Sequence, residues 1–273
     1  PLVSGGELLG VKLTRIHLEE DTGKSSHEGD VSLVDFNRAG LPLMELVTEA
    51  KTFDSMEEAA STAANFGRAL QRLLRTLEVS DADMEKGQMR LEANISITEN
   101  PKVFGTKCEV KNLNSFNSVE RAIAYEVERH MDLLARGEKI IQETRGGDET
   151  KMETFSQRKK ENAHDYRYFP DPDLPKMYLH SVFDLEAMKS ALPELPDTKR
   201  ARLESYGLSD KQVTTLLDDI TMSRYYDAGC ELLASSEDKK TLANYLLSDA
   251  VGYMSKDADL MLPSATNFAK IIL

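Results

Sequence analysis

Residues 89–98 read Met89-Arg90-Leu91-Glu92-Ala93-Asn94-Ile95-Ser96-Ile97-Thr98, and this stretch decides the fold class. Met89, Leu91, Ala93, Ile95 and Ile97 alternate with Arg90, Glu92, Asn94, Ser96 and Thr98. A period of two marks a strand with one apolar and one polar face. Val103-Phe104-Gly105 leads into a second such strand, where Lys107, Glu109 and Lys111 alternate with Cys108 and Val110. Two helical patterns flank this pair. Asp54 with Glu57 three residues on is a capping-box start. Behind it Met56, Ala60, Ala63, Phe66, Leu70, Leu73 and Leu77 form a stripe at helical spacing. Asn117 with Glu120 opens the other helix, with the stripe Val119, Ile123, Val127, Met131 and Leu134 and a stop at Gly137. Strands interleaved with two long helices predict an α+β fold with a mostly antiparallel sheet.

Toward the amino end, Leu9, Val11, Leu13, Ile16 and Leu18 predict a strand over 7–19 whose alternation slips near Thr14, as at a β-bulge. Asp21-Thr22-Gly23 ends it. Two short strands follow, Val31 to Phe36 and Leu43 to Val47, separated by the turn Asn37-Arg38-Ala39-Gly40. Toward the carboxyl end, Pro170, Pro172, Pro175, Pro193 and Pro196 punctuate the chain. Beyond them, leucine-rich segments separated by Gly207, Gly229 and Ser235-Ser236 fit short helices. This places a boundary near residue 190, with the α+β domain over 1–190 and an all-helical domain over 191–273. The chain opens on Pro1, and its last predicted helix, started by Ser264, stops on Ile271-Ile272-Leu273. It reads as an internal piece of a longer polypeptide.

The 273 residues are 40% hydrophobic and 30% charged, which supports a buried core and argues against global disorder. With 47 acidic and 34 basic residues the net charge is −13, unlike a histone-like or polybasic membrane-surface protein. A local basic stripe for RNA is compatible with that balance, and the Arg and Lys of residues 158–160 and 199–202 are its candidates. Cys108 and Cys230 lie far apart, so neither a disulfide scaffold nor a CxxC motif is present. No run of about 18 apolar residues occurs. A soluble, reducing compartment is expected, the cytoplasm or an organellar matrix.

Several constellations carry chemistry. The polar face with Arg90, Glu92, Asn94 and Ser96, beside Lys107, Glu109 and Lys111, is either a solvated sheet face or a site. Mg2+ takes carboxylate oxygens and gains substrate phosphates as further ligands, and phosphoryl transfer needs Lys or Arg beside it. Carboxylates next to cations supply both. His17-Leu18-Glu19-Glu20-Asp21 is either an acidic strand exit or a metal cluster. Glu45, inside Leu43-Met44-Glu45-Leu46-Val47, either faces water or holds a buried partner such as a metal. Asp165-Tyr166-Arg167-Tyr168-Phe169-Pro170 either stacks on a base or plugs a loop. Neither a Walker A loop nor GxGxxG nor GxSxG occurs. His130, with no second His four residues away, reads as a surface residue, and Cys108 as packing.

Five motifs together resemble a known family. They are Arg15 to Lys24 (with His17-Leu18-Glu19-Glu20-Asp21), Asp35 to Glu45 (with Asn37-Arg38-Ala39-Gly40-Leu41-Pro42), Met84-Glu85-Lys86-Gly87 through Asn94-Ile95-Ser96, Gly105-Thr106-Lys107 through Lys111-Asn112-Leu113-Asn114-Ser115-Phe116, and Asp165 to Pro170. They stand in the order found in the GatB family, the B subunits of the aspartyl/glutamyl-tRNA amidotransferases. The resemblance covers about 10–180 and continues weakly through Pro193-Glu194-Leu195-Pro196.

That resemblance implies a cradle-shaped catalytic domain followed by a helical domain. It implies that ATP and Mg2+ phosphorylate the side-chain carboxylate of Glu on mischarged tRNA(Gln), or of Asp on mischarged tRNA(Asn), and that ammonia then displaces phosphate. It implies two partners, an amidase subunit (GatA) that releases the ammonia from glutamine and a small subunit (GatC). Glu20, Glu45 and Glu109 stand at the family's metal carboxylates and are carried over as catalytic and metal residues. Arg90, Glu92 and Asn94 would line the same cradle, although many relatives have Asp where Glu92 stands. Lys111 and Arg167 would neighbour phosphate or substrate. The family's amino-terminal Gly-Leu-Glu-Val-His strand does not occur before Arg15, so the isolated polypeptide is expected to be inactive. A non-catalytic RNA-binding scaffold is the alternative, and three retained carboxylates argue against it. An unrelated ligase of the ATP-grasp kind is disfavoured by the motif order.

Overall fold

The computed structural model describes residues 2–100, 102–148, 152–159, 176–257 and 259–273. Its strands are β1 (Val3–Ser4), β2 (Glu7–Leu8), β3 (Val11–Glu20), β4 (Lys24–Glu28), β5 (Val31–Asp35), β6 (Pro42–Thr48), β7 (Leu91–Ile95), β8 (Cys108–Leu113), β9 (Glu143–Asp148) and β10 (Glu153–Lys159). The long helices are α1 (Met56–Thr76) and α2 (Phe116–Ala135). Shorter ones follow: α3 (Leu179–Val182), α4 (Leu185–Ser190), α5 (Pro196–Ser205), α6 (Asp210–Asp218), α7 (Ile220–Cys230), α8 (Ser236–Asn244), α9 (Val251–Met254) and α10 (Ala265–Ala269), with a π-helical turn at Tyr245–Ala250. The chain forms two compact units, Pro1–Leu70 with Met84–Ala163, and Gln71–Asp83 with His164–Leu273. The division therefore falls before α3 and not at 190.

In the first unit β3 is a spine. β1 and β2 pair with its first half, and β6 runs antiparallel along it from Leu13 to Glu20. Pairing slips between Leu13 and Arg15, the bulge at Thr14 that the phase change predicts. β4 and β5 form a separate two-stranded ribbon. The second sheet has the order β10-β9-β8-β7. Its β8–β9 pair is parallel, whereas its other pairs are antiparallel. A parallel neighbour needs a long crossover, and α2 lies between β8 and β9 in the chain to provide it. β7 is shorter than the alternating run over 89–98, and its ladder slips between Leu91 and Ala93. Asn112, opposite that slip, has φ +62°, a left-handed conformation that Asn adopts more readily than most residues.

Ala60 of α1 and Val119, Ala122 and Ile123 of α2 close over Ile95, Val110 and Leu113 of this sheet. Both helix starts differ from the predicted caps. Ser55, not Asp54, accepts the Glu58 amide at 3.1 Å. Ser115 and Ser118 form a reciprocal capping box just ahead of the predicted pair, Asn117 and Glu120. The carboxyl half of the predicted α2 stripe is also displaced. Met131 and Leu134 are exposed, and the buried side runs Val119, Ala122, Ile123, Glu126 and His130. The helix thus turns a polar edge to the sheet in its last turns, which an apolar stripe does not reveal.

In the second unit Leu203, Leu208, Val213, Leu216, Leu242 and Leu246 pack around Tyr226. The Tyr226 hydroxyl, buried among them, donates to the Lys239 carbonyl at 2.9 Å. Among the described residues no helix is long and apolar enough to cross a membrane.

Candidate functional site

The first acidic group sits on the β3–β6 ladder. His17 lies directly opposite Glu45 in the register. Its Nε2 is 2.6 Å from Glu45 Oε2 and 2.7 Å from Glu19 Oε1. One ligand atom from each of these three side chains falls within 4.8 Å of the other two. The pleat explains the membership. His17 and Glu19 are two residues apart on one strand, and Glu45 is the cross-strand neighbour, so all three share a face. Glu20, paired opposite Pro42, points to the other face.

At the end of β3, Asp21 accepts Arg38 Nε at 2.7 Å, and Arg38 Nη1 reaches the Gly87 carbonyl at 3.4 Å. The Arg38 hydrogen bond holds the Asp21 carboxyl below its ordinary value, with a further contribution from the charge of Arg90. Three of the sequence motifs, those around Asp21, Arg38 and Gly87, are therefore tied together in space.

The second group lies on the face of the β7–β10 sheet turned away from α2. Asn94, Glu109 and Thr144 are neighbours across β7, β8 and β9. Buried Thr144 donates from Oγ1 to Glu109 Oε2 at 3.0 Å. Lys111 Nζ lies 3.0 Å from Glu92 Oε1 and 3.8 Å from Glu109 Oε1. Arg90 is exposed just ahead of β7. Gly105 is required where it stands, because a Cβ there would overlap the Ile97 carbonyl oxygen and sit 3.0 Å from its carbon.

Glu20, Glu45 and Glu109 are therefore placed apart in role. Among the described residues neither Glu20 nor Glu109 joins Glu45 in a group able to share one cation. Glu20 lies on the opposite face of β3, and Glu109 lies on the second sheet beside Thr144. Arg167 and the whole Asp165–Pro170 motif lie outside the described residues.

The other face of the second sheet holds an ion network that hydropathy patterning does not show. Glu126, fully buried, accepts Arg129 Nη2 at 2.7 Å and the Thr154 hydroxyl, and its Oε1 lies 3.0 Å from Arg145 Nε, which itself donates to Thr154 Oγ1. Arg145 in turn pairs with Glu143 at 2.6 Å. Burial pushes the Glu126 carboxyl up, but hydrogen bonds from His130, Arg129 and Thr154 outweigh it and hold the group at about 2. His130, expected at the surface, is fully buried, with Nε2 3.3 Å from both Cys108 Sγ and Glu126 Oε2. Burial lowers its proton affinity, and the bonds to Cys108 and Glu126 raise it further than burial lowers it. Cys108, Glu126 and His130 are close enough to hold a metal. Two guanidinium groups already balance Glu126 there, so the arrangement is a charge clamp between α2 and the sheet and not a cation site.

The basic run 199–202 is likewise structural. Lys199 pairs with Asp227, Arg200 with Asp210 at 2.9 Å, and Arg202 with Glu194 at 2.7 Å and Asp227 at 3.0 Å.

An imidazole with two carboxylates on one sheet face suits a divalent cation, and a carboxylate-flanked lysine on another suits a phosphorylated ligand. The chain belongs to the GatB/GatE catalytic domain family, whose model matches residues 1–183. It is 41% identical over 262 residues to the B subunit of the chloroplastic/mitochondrial glutamyl-tRNA(Gln) amidotransferase of Oryza sativa subsp. japonica, covering 94% of this chain and 46% of that protein. It is 42% identical over 254 residues to the B subunit of the aspartyl/glutamyl-tRNA(Asn/Gln) amidotransferase of Crocosphaera subtropica, covering 90% and 50%. With the protein of the same name from Herminiimonas arsenicoxydans the identity is 41% over 273 residues, covering 94% and 55%. The chain spans about half the length of the curated relatives it matches.

Proposed function

We propose that the protein acts as the B subunit of a tRNA-dependent amidotransferase. In this reading ATP and Mg2+ activate the side-chain carboxylate of Glu on tRNA(Gln), or of Asp on tRNA(Asn), as an acyl phosphate. Ammonia from a partner amidase subunit (GatA) then displaces phosphate, with a small subunit (GatC) joining the two. The observation that carries the reading is the family match over residues 1–183, which spans both carboxylate-bearing faces.

The residues present fit a divalent cation. His17 Nε2, Glu19 Oε1 and Glu45 Oε2 are one nitrogen and two hard oxygen donors already gathered on one face. A cation held there would screen the negative charge of bound phosphates. The chain's own residues do the rest. His17 orients both carboxylates. Lys111, steadied by Glu92 and Glu109, presents a positive charge toward a transferring phosphoryl group, and Arg90 presents another. Thr144 fixes Glu109, and Asn94 beside it offers an amide for the substrate.

The test is Glu45→Ala in the full chain assembled with its partner subunits. Amidation should fall by roughly 100-fold or more while mischarged tRNA still binds. Glu20→Ala, on the opposite face, should cost far less. Normal turnover by Glu45→Ala would refute the reading. An RNA-holding scaffold is the weaker alternative, since the 199–202 cations are engaged with Asp227, Asp210 and Glu194.

A further inference from the structure

β10 carries an exposed aromatic side chain, Phe155, that the site described above does not use. Phe155 is the cross-strand neighbour of Gly146, and Lys111 is the neighbour of Gly146 on the opposite side. A Cβ at Gly146 would lie 2.7 Å from Phe155 Cζ and would run into the Gln157 amide. Both side chains therefore lie down across the glycine instead of standing off the sheet. Phe155 nevertheless remains 48% exposed. The tip of the ring thus reaches over Gly146 while about half of the side chain stays open to solvent, on the same sheet face as Glu109 and Lys111.

We propose that Phe155 is a stacking platform for an adenine base, with Gln157 reading the base edge and Lys111 flanking the phosphate side. The inference rests on the proposed function, which calls for adenine nucleotides. An open aromatic face on a sheet accepts any base by stacking. A Gln amide offers both a donor and an acceptor, the pair that complements adenine N6 and N7. Strands are spaced by about 4.8 Å, so Lys111, two strands from Phe155, stands within the length of a nucleotide. Two sources share this chemistry, the base of ATP and the 3′-terminal adenosine of a tRNA. The competing account is that Phe155 only covers a glycine in the sheet.

Leucine separates the two accounts, because it covers Gly146 but has no aromatic face. The full chain with its partner subunits would be titrated with ATP and, separately, with an acceptor-stem RNA ending in CCA. Phe155→Leu should weaken one probe roughly tenfold, and Phe155→Trp should restore it. The probe affected identifies the source. Gln157→Leu, an exposed change, should erase the preference of that probe for adenine over guanine. Phe155→Leu binding both probes as tightly as the parent would overturn the platform. So would a Gln157→Leu protein that keeps its base preference. If Glu45→Ala abolishes amidation while Phe155→Leu binds both probes normally, the platform falls and the proposed function stands. If the parent binds neither probe, both fall.

Discussion

Replacing Glu126 with Gln tests the clamp between α2 and the second sheet. The glutamine keeps the shape and removes the charge that Arg129, Arg145 and Thr154 converge on. Arg145, itself buried, then keeps Glu143 but loses half of its acidic pairing. The depression of the Glu126 carboxyl from 4.5 to about 2 corresponds to about 3 kcal/mol of stability. Breaking a buried ion pair from one side costs about 3–5 kcal/mol, which agrees. The sign follows from the lowered value. The contribution is complete above pH 4.5 and is lost as the pH falls toward about 2. Because the chain has two compact units, hydrogen exchange of the α2 amides is a better assay than one spectroscopic transition. At pH 7 the exchange protection of α2 should drop by about 3 kcal/mol in Glu126→Gln, and the gap from the parent should close as the pH falls through 4.5. A loss below about 1 kcal/mol, or a gap that persists unchanged at about pH 3, would show that the network does not hold the helix.

His130 should titrate above 6.5, so its contribution is complete below that pH and lost as the pH rises through the folded value. An imidazole signal titrating below 6.5 in an NMR series, or a His130→Gln protein that keeps the alkaline loss of stability, would contradict this. Gly105→Ala should destabilise the first unit by about 1–3 kcal/mol or more, since the new methyl has only the Ile97 backbone to push against. A melting temperature equal to the parent's would count against that close approach.

The central strands were legible because each has one apolar and one polar face, and the bulge at Thr14 because the alternation changes phase there. β9 and β10 were not. Gly146 and Gly147 interrupt any strand pattern, and Thr154 and Ser156 turn hydroxyls inward toward Arg145 and Glu143. Glu126 and His130 were invisible for the same reason: a buried polar residue with partners looks like a surface residue in a hydropathy pattern. Within the candidate site, the choice between Glu19 and Glu20 depends on which faces Glu45. That is a matter of cross-strand register, which adjacent glutamates in a sequence do not reveal. The helix starts were displaced because Asp54 and Ser55, or Ser115 and Asn117, are all good caps, and only the backbone turn selects one.

The parallel pairing of β8 with β9 has a consequence for how the chain matures. β7 and β8 can zip together soon after synthesis, being joined by a short local excursion. β9 has to wait for all of α2 to emerge and swing across before it finds its edge. Thr144 and Gly146 thus reach the working face after Asn94 and Glu109. A nascent polypeptide halted before residue 143 would leave the Val110 and Leu113 edge bare, at the moment when a chaperone or a stray strand could seize it.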